Sequence, residues 1–232
     1  MAYQAILFDK DGTLFDFHAT WGEWTQGFLS RVSRGDTARA RALGAAIGYD
    51  CDSARFTPDS IVVAGTNEEI AHELGRHMSA AEAGELLARF DAATLSVSPV
   101  AAVPLLPLLG GFRQRGLVLG VATNDSEASA RAHLERAGVA GLFDFIAGHD
   151  SGHGGKPDPG MLLAFVRETG VAPARTVMVG DSRHDLLAGR AAGMTPVAVL
   201  TGPAAEAELA PLAEAVLPDI GHLPDWLAAH GT

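Results

Sequence analysis

The chain is short of lysine, cysteine and long apolar runs, and each shortage narrows its reading. Cys51 is the single cysteine among 232 residues. An internal disulfide is therefore impossible, and a reducing, cytoplasmic setting is expected. No stretch reaches the roughly 18 apolar residues that mark a membrane-spanning helix. The opening MAYQAILFD has neither the basic start nor the cleavage site of a secretory leader. Positive charge is scarce too: 17 basic against 28 acidic residues leave a net charge of −11. With no basic stripe to meet a phosphate backbone or an anionic bilayer, neither nucleic acid nor membrane is expected as a partner. Only Lys10 and Lys156 are lysine; the other 15 basic residues are arginine.

What is present describes a globular protein. Apolar residues make up 47% of the chain and charged residues 19%, which suits a packed core. The length allows one large domain or two smaller ones. Short apolar runs at Gln4–Phe8, Leu117–Ala122, Phe143–Gly148, Thr176–Gly180, Pro196–Leu200 and Ala215–Leu217 read as strands. Helical stretches such as Ser126–Ala137, Pro159–Thr169 and Asp185–Ala192 alternate with them. Strands that are apolar throughout, alternating with helices, predict a parallel sheet covered on both faces: a doubly wound, Rossmann-like α/β core.

Residues 17–98 break the alternation and read as helices over Ala38–Ala46, Glu68–Met78 and Ala80–Phe90. Thr66 with Glu69, and Ser79 with Glu82, match the capping-box pattern at two of these starts. The expected organisation is a core of residues 1–16 and 99–232 with a helical cap inserted at 17–98. The segment Pro99–Pro107 carries the chain back to the core.

Chemistry gathers at four strand ends. The first ends in Asp9-Lys10-Asp11-Gly12-Thr13, the second in Thr123-Asn124-Asp125, and the fourth in Asp181-Ser182-Arg183-His184-Asp185. The loop after the third, GHDSGHGGKPDP, contains Lys156. In a parallel sheet such ends lie along one edge and converge on one crevice. Each feature alone has a plain structural reading: a turn at Asp9-Lys10-Asp11-Gly12, a cap at Thr123 or Asp181, a surface charge at Lys156. Together they place several carboxylates around one lysine, an arrangement that calls for a hard divalent cation, Mg²⁺ above all. A hydroxyl from Thr123, the ammonium of Lys156 and free N–H groups near Gly12 complete a phosphate site. A lysine in so arginine-rich a chain suggests that a compact charge is needed where a guanidinium does not fit. Lys10 is expected to be only a solvated neighbour.

The four segments closely resemble the haloacid dehalogenase superfamily of hydrolases, over the whole length of the core. FDKDGTL looks like its first motif, VATND its second, GGKPDP its third and GDSRHDLLAGRAAGM its fourth. The helical insertion after the first motif is similar to the cap of phosphoglycolate phosphatases. The resemblance implies a phosphatase that hydrolyses a small phosphorylated metabolite through an aspartyl-phosphate, with a phosphoglycolate-like phosphomonoester as first candidate; a monomer or homodimer is expected. It implies Asp9 as nucleophile, Asp11 as general acid and base, and Thr123 and Lys156 as the remaining catalytic groups. Gly12, Thr13, Thr123, Asn124 and Lys156 are the implied phosphate-binding residues. Asp9, Asp11 (through its carbonyl), Asp181 and Asp185 are the implied holders of Mg²⁺, with Asp185 ligating directly, through water, or orienting Lys156.

Other activities on this scaffold fare less well. A dehalogenase needs no acid at position 11, and a phosphonate hydrolase needs a cap lysine that residues 17–98 lack. A phosphomutase shares all four motifs and is the alternative; a noncatalytic phosphate-binding protein is expected to have lost one of the key groups. Asp16-Phe17 departs from the Asp-Ser common in close relatives. His18, Trp21 and Trp24 follow, near the mouth of the site, where aromatics are expected to pack between elements. His149 and His153 read as exposed loop residues, and Arg55 is one of several cap arginines able to meet a substrate anion.

Overall fold

The structure is a computed structural model that describes residues 3–57 and 59–230. The chain opens with β1 (Ala5–Phe8), α1 (Phe17–Val32) and α2 (Thr37–Ala46). A short hairpin, β2 (Tyr49–Asp50) and β3 (Arg55–Phe56), leads into α3 (Ile61–Ala64), α4 (Asn67–Gly75) and α5 (Ala80–Thr94). Next come α6 (Leu105–Gln114), β4 (Val118–Ala122), α7 (Glu127–Arg136), β5 (Phe145–Ala147) and α8 (Gly160–Thr169). The chain ends with β6 (Thr176–Gly180), α9 (Arg183–Ala191), β7 (Thr195–Val199), α10 (Glu206–Leu209), β8 (Ala215–Leu217) and α11 (Leu223–His230).

Six strands form one parallel sheet of order β5-β4-β1-β6-β7-β8. Alternate residues serve opposite faces, as the strand period requires. Ile6, Phe8, Val177 and Val179 join a core beneath α6, α7 and α11. Ala5, Leu7 and Met178 join a second core with Met161 and Phe165 of α8 and Ala188 of α9. The chain leaves β1 toward β4 and β5, then returns to the other side of β1 for β6, β7 and β8. That reversal opens a crevice beyond the carboxyl ends of β4, β1 and β6, the place where doubly wound sheets bind ligands.

The stretch from α1 to α5 packs around its own apolar cluster. Phe17, Trp21, Phe28 and Leu29 form a stripe on α1 and meet Leu43, Ile70, Leu74 and Phe90. Both expected capping boxes are made: Thr66 and Glu69 exchange bonds at 2.8 and 3.3 Å, Ser79 and Glu82 at 3.1 and 3.4 Å.

Several elements differ from the sequence expectation. Helix α4 stops at Gly75, short of Met78, while α5 runs past Phe90 to Thr94. The hairpin Tyr49–Phe56 was read as part of a helical unit. The return segment Pro99–Pro107 already contains the start of α6. Pro107 is the third residue of that helix, where its missing N–H has no intrahelical acceptor to lose.

Candidate active site

Asp9 follows β1 directly, and its amide still bonds to Val179 O at 2.8 Å, so its position is set by the central strands. Lys156 reaches it from the loop before α8. Its Nζ donates to Asp9 Oδ1 at 2.5 Å, Asp185 Oδ1 at 2.6 Å and Ala122 O at 2.7 Å. The loop is clamped in turn by Asn124: its Oδ1 accepts from Lys156 N at 2.8 Å, and its Nδ2 donates to Lys156 O at 2.9 Å. The lysine is 5% exposed. Three acceptors around one ammonium hold it charged against its desolvation.

Asp185 belongs to the first turn of α9. Its Oδ2 accepts from Ser182 N and Oγ, completing a capping box that leaves Oδ1 for Lys156. Asp185 therefore serves the helix start and the site at once, while the cap itself is Ser182 and not Asp181. Asp181 directly follows β6, and its buried Oδ2 has no hydrogen-bond partner. Oxygens of Asp9, Asp181 and Asp185 lie within 4.8 Å of one another, close enough to share one cation. Without one, burial, only partly offset by Lys156, pushes the Asp9 carboxyl up to about 7. Burial and then the charge of Asp9 raise Asp181 well above the usual carboxylate range. An orphaned oxygen among crowded carboxylates is what a hard cation relieves, so these donors fit one.

Two glycines keep this carboxylate in place. A Cβ on Gly12, which has φ of +80°, or on Gly202 would overlap the Asp181 side chain. Thr201 Oγ1 donates to Gly12 O at 2.5 Å and ties the two loops together. Gly202→Ala is expected to displace Asp181 and to cut turnover at least ~10-fold, with a small change in melting temperature. Phosphate release titrated with Mg²⁺ checks this: unchanged turnover would mean that Asp181 tolerates the shift.

The second acid of the opening motif has a different partner. The chain turns at Lys10, so Asp9 faces Lys156 while Asp11 faces Lys10. The Lys10 ammonium lies 2.6 Å from Asp11 Oδ2, and Trp21 Nε1 donates to Oδ1 at 2.9 Å. The Asp11 carboxylate stays outside the cation cluster. Lys10 is fully buried and not the solvated neighbour expected from sequence. It also meets Asp125 Oδ2 at 2.9 Å and His133 Nδ1 at 3.0 Å. An ammonium only donates, so Nδ1 accepts and Nε2–H donates to Thr94 O at 3.0 Å. Burial first, then the Lys10 charge, lowers the His133 pKa and keeps the ring neutral. Asn67 Nδ2 donates to Asp125 Oδ1 at 3.3 Å. One buried network thus joins the β1 loop and α7 to α1, α4 and α5.

The remaining sequence candidates are placed as follows. Thr123 is buried beside Lys156, lines the pocket, and its Oγ1 accepts from Asp125 N at 3.1 Å. The Oγ1 of Thr13 is buried without a partner. Trp21 and Trp24 both pack and line the pocket, their rings T-shaped at 5.2 Å. His18 and Arg55 line a separate depression with Asp16 and Thr201, away from the mouth where His18 was expected. His149 and His153 are half-buried and not exposed; neither lines the pocket, whereas His184 does. Sequence reasoning missed Lys10, His133, Asn67 and Asp125. Of these, Asp125 within the second strand-end motif and Lys10, one of only two lysines, carried a signal; His133 and Asn67 carried none.

Comparison with known proteins agrees with this geometry. Residues 3–193 match the family model of the haloacid dehalogenase-like hydrolases. A curated phosphoglycolate phosphatase of Rhodospirillum rubrum is 33% identical over 230 residues, covering 97% of this chain and 90% of its own. A predicted phosphoglycolate phosphatase from Haemophilus somnus superposes with a TM-score of 0.74 at 18% identity, covering 97% of both chains. CbbY from Rhodobacter sphaeroides, solved in complex with phosphate, superposes at 0.68 with 24% identity, covering 95% of this chain and 96% of that one. Among the described residues no helix is long and apolar enough to cross a membrane. Fold, strand-end residues and relatives agree: the chain belongs to the haloacid dehalogenase-like hydrolases and is an enzyme of their phosphatase kind.

Proposed function

We propose that the protein is a Mg²⁺-dependent phosphatase of small phosphomonoesters, working through an aspartyl-phosphate on Asp9. The observation that carries this reading is Lys156 held between Asp9 and Asp185, next to the unpartnered oxygen of Asp181. Asp9, Asp181 and the carbonyl of Asp11 would hold the ion, with Asp185 chiefly fixing Lys156. When bound, Mg²⁺ supplies a charge that offsets the phosphoryl oxygens and the crowded carboxylates.

The chain's own groups then account for the steps. An Asp9 oxygen attacks phosphorus, the bond from phosphorus to the alcohol oxygen breaks, and Asp11 gives that oxygen a proton. Asp11 next takes a proton from water, whose oxygen attacks phosphorus; Asp9 leaves as carboxylate and inorganic phosphate is released. Lys156 and Thr123, with N–H groups near Gly12 and Thr13, face the equatorial oxygens where transition-state charge spreads. Asn124 acts through Lys156, whose backbone it clamps. Residues 17–98 serve as a cap, and Trp21 on it holds the Asp11 carboxylate.

Phosphate release from a generic aryl phosphate is expected to stop with EDTA and return with Mg²⁺. Activity indifferent to the chelator would count against the metal; interconversion of two sugar phosphates without net phosphate release would point to a phosphomutase.

A further inference from the structure

The phosphate site is roofed by an apolar wall. Trp24, Val62, Val63, Ile70 and Phe90 line it from the helical insertion, and the polar side chains beside them, Asn67 and Thr94, are uncharged. Every ionisable group lining the pocket stands on the core instead: Asp9, Asp11, Asp125, Asp185, Lys156 and His184. Four of these six are acids. Lys156 already meets three oxygens at the phosphoryl end, and His184 starts α9 on the core side.

No arginine lines the pocket, and most of those on the insertion are committed elsewhere. Arg39, Arg41, Arg76 and Arg89 pair with Glu82, Asp52, Glu73 and Glu85 on the outside of the insertion. Arg55 lines the separate depression near His18. Trp24, Val62 and Val63 belong to the rim of the insertion's own apolar cluster but stay half-buried, their remaining surface turned to the pocket.

Resting on the phosphatase reading above, we infer that the site takes phosphomonoesters whose alcohol is uncharged and apolar. It disfavours those carrying a second anionic group, phosphoglycolate included. A carboxylate set against this wall loses its water and meets no cationic donor on the insertion. An alkyl or aryl group in the same place gains contact with Trp24, Ile70 and Phe90. The likeness to phosphoglycolate phosphatases thus bears on the chemistry at phosphorus, and the wall on the leaving group.

The test compares phosphoglycolate with isobutyl phosphate, whose two methyls stand where the carboxylate oxygens would be, and with benzyl phosphate. With Mg²⁺ present, kcat/KM is expected to be at least ~10-fold higher for the two neutral esters. Val63→Arg, which adds a cation to the wall, is expected to narrow or invert that ratio. Equal or better turnover of phosphoglycolate by the unaltered protein overturns the inference while leaving the phosphatase reading intact. If none of the three releases phosphate, the phosphatase reading fails, and calorimetric binding of isobutylphosphonate against phosphonoacetate decides on the wall alone. Tighter isobutylphosphonate supports the inference; tighter phosphonoacetate overturns it.

Discussion

Asp9→Asn is expected to lower turnover by at least about 10³-fold while leaving the fold intact. Asparagine keeps the shape of the side chain but offers an amide in place of a nucleophilic carboxylate, so no acyl phosphate forms. The fold survives because the native carboxylate is poorly solvated: burial is the largest influence on it, and its pKa rises to about 7 without a cation. Replacing it with a neutral group removes that desolvation cost. Lys156 keeps Asp185 Oδ1 and Ala122 O and is not left stranded. The measurements are phosphate release, trapping of labelled phosphate on the quenched protein, and thermal melting. Turnover within about tenfold of the unaltered protein, with label still trapped, would rule out Asp9 as the group that carries the phosphoryl.

Much of the core was legible because its strands are buried on both faces and so read as nearly unbroken apolar runs. Thr176–Gly180 and Ala215–Leu217 stand where they were expected. The strand-end acids and Lys156 were legible for a related reason, since parallel topology alone puts those ends on one edge. Helix α6 was not, because Pro104 and Pro107 look like linker until one counts that both fall where no helical N–H bond is lost. The Lys10 network was hidden more deeply. Its partners Asp125 and His133 lie 115 and 123 residues away, and no local period links them. Trp21 carried helical spacing, which predicts packing but not the Nε1 bond to Asp11. Which cap arginine faces a substrate was not legible either, because the ion pairs that hold Arg39, Arg41, Arg76 and Arg89 depend on how neighbouring turns meet.

The two lysines account for the second large effect. None of the 15 arginines is buried, whereas both lysines are, each ringed by oxygens of the site. The need for a compact charge where a guanidinium does not fit holds for Lys10 as well as for Lys156. Lys10→Met is expected to cost roughly 3–5 kcal/mol, because two carboxylates, Asp11 and Asp125, lose the charge that offsets their burial. For a chain of this size that is a drop in Tm on the order of 10 °C. Lys10→Arg keeps the charge but forces a planar fork into a space closed by Asp11, Asp125, His133 and the Trp21 ring, so it is expected to cost about 1–3 kcal/mol. In both variants kcat falls more than KM changes, because Asp11 loses its orientation while the phosphate groups around Lys156 stay in place. Melting curves and steady-state kinetics on the two variants check this. Native stability with native kcat in Lys10→Met would mean that the buried ammonium is dispensable and that Trp21 alone holds Asp11.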